Sequence, residues 1–179
     1  MKAATGQPLT SPDLLSQAVR TQIDHWLKKY PEDQKRSAVI PALTIVQKAN
    51  GGYLTIPLMD AVALYLNIPK IAVYEVASFY SMFELKPVGK YKINVCTNVS
   101  CMLCGCSGIV EHLKQRLKIN FGETTRDGKF TLKEVECLAA CGAAPAMQID
   151  GDYYENLTPD KVDEVYWRHL TPDTPQIRL

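Results

Sequence analysis

The residues most able to do chemistry are six cysteines, all of which fall within residues 96–141. Four of them form two close pairs, Cys96 with Cys101 and Cys137 with Cys141. Two short loops that each carry two thiolates can supply four sulfurs to one inorganic centre. We therefore expect an iron–sulfur cluster, and a [2Fe–2S] cluster takes four thiolates, two for each iron.

A second scheme uses a cysteine between the two pairs. The spacing of Cys96, Cys101 and Cys104 is also that of plant-type ferredoxins, in which Cys137 would be the fourth ligand. This scheme leaves Cys141 without a role. It also predicts a β-rich fold, which the helix indicated at residues 108–118 does not suit. We favour the two-pair scheme.

Two further assignments stay open at this point. Cys101, Cys104, Cys137 and Cys141 have spacings that could hold a zinc ion. The segment Cys101-Met-Leu-Cys104 could instead be a dithiol redox site, because it closely follows a predicted strand. If neither applies, we expect Cys104 and Cys106 to be small, semi-buried thiols.

The composition argues against several classes of protein. The chain has 179 residues, with 20 basic and 19 acidic side chains, a balance that argues against nucleic-acid binding. No apolar run approaches the roughly 18 residues of a membrane span. Residues 1–10 show no secretory signal, so metal binding is favoured over disulfides. Because no phosphate-binding loop and no nucleophile–base constellation is present, we expect no catalysis by this chain alone.

The first half of the chain predicts four helices. Ser11-Pro12-Asp13 is typical of a helix start, and Thr55 is placed to cap the third helix. The helices are expected from this start to about residue 30, at 37–48, after Thr55 to residue 66, and at 69–83. Residues 86–89 then break the pattern. We therefore expect a helical domain at residues 1–86.

The second half alternates between strands and helices. Strands are expected at 91–95, 130–136, 146–149 and 153–155, and helices at 108–118 and from residue 158. The two cysteine pairs follow the first two strands. This order fits a small α/β domain with helices against one mixed sheet, which we place at residues 87–170. Residues 171–179 are expected to be a loose tail.

Several motifs, taken in order, resemble one family. They are Val73-Tyr74-Glu75-Val76-Ala77-Ser78-Phe79-Tyr80-Ser81-Met82-Phe83, Pro87-Val88-Gly89-Lys90-Tyr91, Cys96-x4-Cys101, Gly122-Glu123-Thr124-Thr125, Asp127-Gly128, Val135-Glu136-Cys137-Leu138-Ala139-Ala140-Cys141 and Ala144-Pro145. They resemble the thioredoxin-like [2Fe–2S] subunit of NADH:quinone oxidoreductase, respiratory complex I, over roughly residues 12–170. In that complex this small E-type subunit is the partner of the flavin-bearing, NADH-oxidising subunit. The implied fold class is α/β, with an N-terminal helical bundle followed by a thioredoxin-like [2Fe–2S] ferredoxin domain.

The resemblance also implies a cofactor, its ligands and a partner. It implies one [2Fe–2S] cluster held by Cys96, Cys101, Cys137 and Cys141. It gives Cys104 and Cys106 no ligand role, and the chain departs from the family at Cys104, where another residue is usual. FMN and NADH are expected in the partner subunit, whose flavin exchanges single electrons with the cluster.

The resemblance also implies a location in the cell and an alternative parent complex. The expected location is peripheral, on the cytoplasmic face of the inner membrane, or on the matrix side in a eukaryote. The expected partner is the flavin subunit within a larger complex, with no nucleic acid and no direct membrane insertion. Because the same module occurs in NAD-linked hydrogenases and formate dehydrogenases, an equivalent diaphorase subunit is the alternative. A zinc-binding structural module is a third interpretation.

Overall fold

The computed structural model describes residues 14–170 of the chain. The chain divides after Pro87 into two compact units. Within residues 14–170, no helix combines the length and the apolar character needed to cross a bilayer.

In its described part, residues 14–87, the first unit contains four α-helices. They are α1 (Gln17–Leu27), α2 (Val39–Ala49), α3 (Ile56–Leu66) and α4 (Lys70–Phe79), with a 3-10 segment at Glu32–Ala38 before α2. Their apolar faces share one core, in which Ile23, Leu43 and Val62 are completely buried. The predicted helical character of the first half is confirmed.

Side-chain hydroxyls cap two of these helices. Ser16 Oγ accepts a hydrogen bond from the Val19 N–H at the start of α1. Thr55 Oγ1 accepts one from the Leu58 N–H at the start of α3, which confirms the predicted cap. The predicted start signal at residues 11–13 lies outside the described residues.

The fourth helix is shorter than the sequence pattern indicates. The pattern predicts a helix to residue 83, but α4 ends at Phe79 because Tyr80 adopts extended backbone angles (φ −87°, ψ 121°). The chain beyond it bonds back to α2, where Gln47 Oε1 accepts from the Glu84 N–H at 2.7 Å. Hydrogen bonding to a distant helix thus overrides the local helical pattern.

Over residues 88–170, the second unit contains a four-stranded mixed sheet and three α-helices. The strands are β1 (Tyr91–Cys96), β2 (Phe130–Val135), β3 (Met147–Ile149) and β4 (Asp152–Tyr154), in the spatial order β2-β1-β3-β4. β1 and β2 are parallel, and the other neighbouring pairs are antiparallel. The helices are α5 (Val99–Leu103), α6 (Cys106–Leu117) and α7 (Pro159–Leu170).

This arrangement confirms the predicted α/β class. Ile109 and Leu113 of α6 and Val162 of α7 join Ile93 and Leu132 of the sheet in one buried core. The structure adds one element that the sequence pattern did not predict, which is the short helix α5 inside the first cysteine loop.

The chain enters β1 through a position that only glycine fits. A Cβ on Gly89 would lie 2.9 Å from the backbone carbonyl of Lys129, and the Gly89 N–H donates to Thr131 Oγ1 at 2.6 Å. We expect Gly89→Ala to lower the free energy of unfolding by about 1–3 kcal/mol, as overpacking does. Urea denaturation followed by far-UV circular dichroism measures this loss.

The matched control is Gly108→Ala within α6. A Cβ there meets nothing within 4 Å, and alanine favours a helix interior over glycine by roughly 0.5–1 kcal/mol. This variant is expected to be neutral or stabilising. Equal losses in the two variants would contradict the close approach at Gly89.

Candidate metal centre

The parallel pairing of β1 and β2 brings the two cysteine pairs to one edge of the sheet. Cys96, the last residue of β1, is the register partner of Val135, the last residue of β2. Since both strands run in the same direction, their carboxyl ends meet at one edge. The first cysteine loop (residues 97–105) and the second cysteine loop (residues 136–146) therefore start side by side.

Cys96 lies between the two ends of the second cysteine loop. Its N–H donates to the Ala146 carbonyl at 3.1 Å, where that loop ends. The next residue, Thr97, donates its N–H to the Val135 carbonyl at 3.3 Å, where that loop begins. Cys96 is buried, so its position is set by main-chain bonds on both sides.

The first cysteine loop contains the helix α5, which buries one of the predicted ligands. Asn98 Oδ1 accepts from the Val99 N–H at 2.7 Å and caps α5. Cys101 lies within α5 and is only 2% exposed. Cys104 follows the helix and is exposed. Gly105 then adopts a left-handed conformation (φ 84°), which glycine adopts without strain and which turns the chain into α6.

The second cysteine loop carries its cysteines at the surface. Cys137 and Cys141 are both exposed, and Cys141 begins a 3-10 turn at Cys141–Ala143. The Ala139 N–H donates to Cys137 Sγ at 3.3 Å. The far end of the loop is anchored by the Asn156 N–H, which donates to the Ala143 carbonyl at 2.7 Å.

The surroundings of the Cys96 sulfur lower the pKa of its thiol, and two other predicted ligands contribute to this effect. Burial by itself raises the pKa of the Cys96 thiol, but four donors more than offset it, so that its pKa lies below the usual value. The donors are the backbone N–H groups of Asn98 and Leu138 and the thiols of Cys101 and Cys137. Burial, followed by the bond to Cys96, raises the pKa of Cys101 to about 11. The arrangement favours negative charge on the Cys96 sulfur.

The cysteines outside the two pairs differ from each other. Cys106, the first residue of α6, is buried beside Cys96 and Cys101. Burial raises the pKa of Cys106, and the charges of Cys96 and Glu134 add to the effect. The prediction that Cys104 and Cys106 are semi-buried is wrong for both. Cys104 lies at the exposed junction between α5 and α6, and Cys106 is fully buried.

The structure brings the four predicted ligands together only in part. The thiols of Cys101 and Cys137 lie close enough to the Cys96 sulfur to lower the pKa of its thiol, and Cys141 is not one of the groups that lower it. Among residues 14–170, no three His, Cys, Asp or Glu side chains are grouped so that they could hold a metal ion.

The chemistry of the donors nevertheless fits an iron–sulfur cluster. Cys96 at the end of β1, Cys101 on the first cysteine loop and two cysteines on the second offer four thiols at one sheet edge. Backbone N–H groups lie against the sulfurs of Cys96 and Cys137. Such N–H donors stabilise the negative charge of ligated sulfur and adjust the potential of the group that it holds.

Two features of this region were missed from the sequence. Asn98, three positions after the end of the predicted strand at 91–95, is a capping residue type, and it is the signal that could have indicated α5. Cys106, Ile109 and Leu113 follow helical spacing, which could have placed the start of α6 at Cys106.

Comparison with known proteins identifies similar chains. Residues 23–168 match the family described as thioredoxin-like [2Fe–2S] ferredoxin. The chain is 50% identical over 139 residues to the E-type subunit of NADH-quinone oxidoreductase from Rickettsia bellii, covering 78% of this chain and 83% of that protein. It is 45% identical over 145 residues to the second E-type subunit of NADH-quinone oxidoreductase from Rhizobium meliloti, covering 81% and 84%.

A solved structure is also similar. The NAD+-reducing [NiFe]-hydrogenase in its air-oxidised state superposes with a TM-score of 0.63 at 21% identity. The match covers 74% of this chain but only 23% of the hydrogenase chain. At this identity the likeness shows a shared fold alone.

The backbone at Ala139 leads to a prediction. Ala139 has a left-handed conformation (φ 58°), which costs an L-residue roughly 1–2 kcal/mol and glycine almost nothing. We expect Ala139→Gly to leave the free energy of unfolding unchanged or raise it by up to ~1 kcal/mol, because relief of this cost outweighs the added freedom of the unfolded chain. Urea denaturation of the cluster-free chain measures the change.

The neighbouring residue supplies the control for this prediction. Ala140 has a negative φ of −102°, so Ala140→Gly relieves no left-handed conformation and should cost roughly 0.5–1 kcal/mol. A larger loss at Ala139 than at Ala140 would show that the left-handed backbone is not a source of strain.

Proposed function

The chain belongs to the thioredoxin-like [2Fe–2S] ferredoxin family, and on this premise we propose that it is the electron-transfer subunit of an NADH:quinone oxidoreductase. It carries one [2Fe–2S] cluster and exchanges single electrons with the flavin of a partner subunit that oxidises NADH. One observation carries the proposal. Cys96, at the shared carboxyl end of two parallel strands, bonds through its N–H to the Ala146 carbonyl, which ends the loop that carries Cys137 and Cys141.

We assign the cluster to four cysteines. They are Cys96, Cys101, Cys137 and Cys141. When bound, the [2Fe–2S] cluster supplies a centre that accepts and releases one electron at a time. The protein's own contribution is to hold the thiolates and to stabilise their charge.

The two cysteine loops have different parts in this function. Cys96 at the end of β1 and Cys101 on the first loop are buried, which excludes water from one side of the site. The second loop exposes Cys137 and Cys141. Two of the three residues between these cysteines, Ala139 and Ala140, are small, so a partner surface can approach the sulfurs closely. We therefore place the second loop at the contact with the flavin subunit.

FMN and NADH belong to the partner in this proposal. The chain contains no phosphate-cradling motif, so hydride transfer takes place on the flavin. The two chains form a heterodimer within a larger complex, peripheral to the membrane on its cytoplasmic face, or on the matrix side in a eukaryote. High identity to E-type subunits of NADH-quinone oxidoreductases favours this respiratory parent over a hydrogenase, with which the chain shares a fold at 21% identity.

The assignment of ligands is tested with two serine variants of the full chain. Cys141→Ser removes one of the four thiolates, so it should abolish most of the visible absorption and bound iron after reconstitution with iron and sulfide. Cys104→Ser, the control on the first loop, should keep both. Absorption spectroscopy with iron and sulfide assays measures the outcome.

The reverse result would favour the plant-type scheme. Loss of colour in Cys104→Ser with full colour in Cys141→Ser would replace Cys141 by Cys104 in the ligand set. A colourless parent chain that binds zinc would instead support the structural zinc module.

Electron exchange with the partner gives a second prediction. Added NADH should leave the purified, reconstituted chain oxidised, because the chain cannot itself take hydride from NADH. NADH together with the flavin subunit should bleach the visible spectrum rapidly. Stopped-flow absorption measures both rates, and fast reduction of the isolated chain by NADH would overturn the carrier assignment.

A further inference from the structure

A side-chain hydrogen bond joins the two cysteine loops at their base. Thr97 Oγ1 donates to Glu134 Oε1 at 2.8 Å. Thr97 directly follows Cys96, and Glu134 lies three positions before Cys137. We call this contact the Thr97–Glu134 bridge. It links the first residue of one cysteine loop to the strand that leads into the other.

The bridge lies where the main-chain pairing of β1 and β2 stops. Val95 is the register partner of Glu134, and Cys96 is that of Val135. The Thr97 N–H still bonds to the Val135 carbonyl, at 3.3 Å, one residue beyond the last register pair. The bridge therefore restrains the chain directly after Cys96 and three residues before Cys137.

The bridge also fixes a negative charge beside the site. Glu134 is exposed, and a free glutamate would spread its charge over many solvent positions. The bond from Thr97 holds this carboxylate next to the strand end that carries Cys96.

We propose that Thr97 and Glu134 act together as positioning residues that hold the two cysteine loops in register and place a carboxylate charge that lowers the reduction potential of the site. The inference rests on the proposed function, since it presupposes a cluster on these loops. Reduction adds one negative charge to a site of thiolates. A fixed carboxylate nearby disfavours that added charge, by an amount that solvent screening limits.

Two substitutions in the reconstituted full chain separate the two effects. Glu134→Gln keeps an oxygen that accepts from Thr97 but removes the charge. The reduction potential of this variant should become more positive. The shift should correspond to a two- to tenfold change in the ratio of oxidised to reduced protein, which is at most about 59 mV for one electron. Thr97→Val removes the bond and keeps the charge. It should lose its cluster to a chelator roughly three- to tenfold faster, as expected for one lost hydrogen bond.

Matched variants control for general effects. Thr97→Ser restores a donor and should return cluster loss close to the parent rate. Glu136→Gln removes an exposed charge at the start of the second cysteine loop, two residues after Glu134. The Glu136 carboxylate has no hydrogen-bond partner among residues 14–170, and this variant should shift the potential less than Glu134→Gln does. Potentiometric titration followed by electron paramagnetic resonance and visible absorption reads the potential.

Hydrogen exchange of the cluster-free chain gives a readout that needs no cluster. Thr97→Val should speed amide exchange in both cysteine loops, whereas Glu134→Gln should leave it near the parent value. Unchanged exchange and unchanged cluster loss in Thr97→Val would overturn the bridge. If Glu136→Gln shifts the reduction potential as much as Glu134→Gln or more, the proposed role of the Glu134 charge is overturned. If the parent chain forms no cluster, the proposed function is contradicted, and the proposed effect of the Glu134 charge is contradicted with it. Amide hydrogen exchange of the cluster-free chain would still show whether the Thr97–Glu134 bridge restrains the two loops.

Discussion

The candidate site depends on the parallel pairing of β1 with β2. Ile93 and Leu132 are register partners, and both are buried in the core of the second unit. Because side chains alternate between the two faces of a sheet, a slip of one residue would turn these apolar side chains away from the core. The register that the core enforces is therefore the register that sets Cys96 beside the start of the second cysteine loop.

A buried thiolate needs compensation, and the backbone supplies it here. Taking a charged sulfur out of water is unfavourable unless hydrogen bonds replace the lost hydration. The N–H groups of Asn98 and Leu138 and two neighbouring thiols converge on the Cys96 sulfur, so its pKa stays below the usual value despite burial. The fold thus prepares this position for negative charge through main-chain donors.

The two cysteine loops differ in how far they bury their cysteines. The first loop contains the helix α5, which Asn98 caps and in which Cys101 is buried. The second loop is anchored at its far end through the Asn156 N–H but leaves Cys137 and Cys141 exposed. A site that must keep its ligands and also meet another protein benefits from one protected side and one open side.

The sequence by itself determined the helical first half, the α/β second half, the cap at Thr55 and the family. These follow from local periodicity, capping chemistry and motifs that lie within short stretches of chain. The early end of α4, the burial of Cys106, the exposure of Cys104 and the bond between Thr97 and Glu134 came only with the tertiary structure. Each of these depends on which distant residues become neighbours. Residues 97 and 134 meet because two strands pair in one register, and that register is set by burial of the whole core, not by any local pattern.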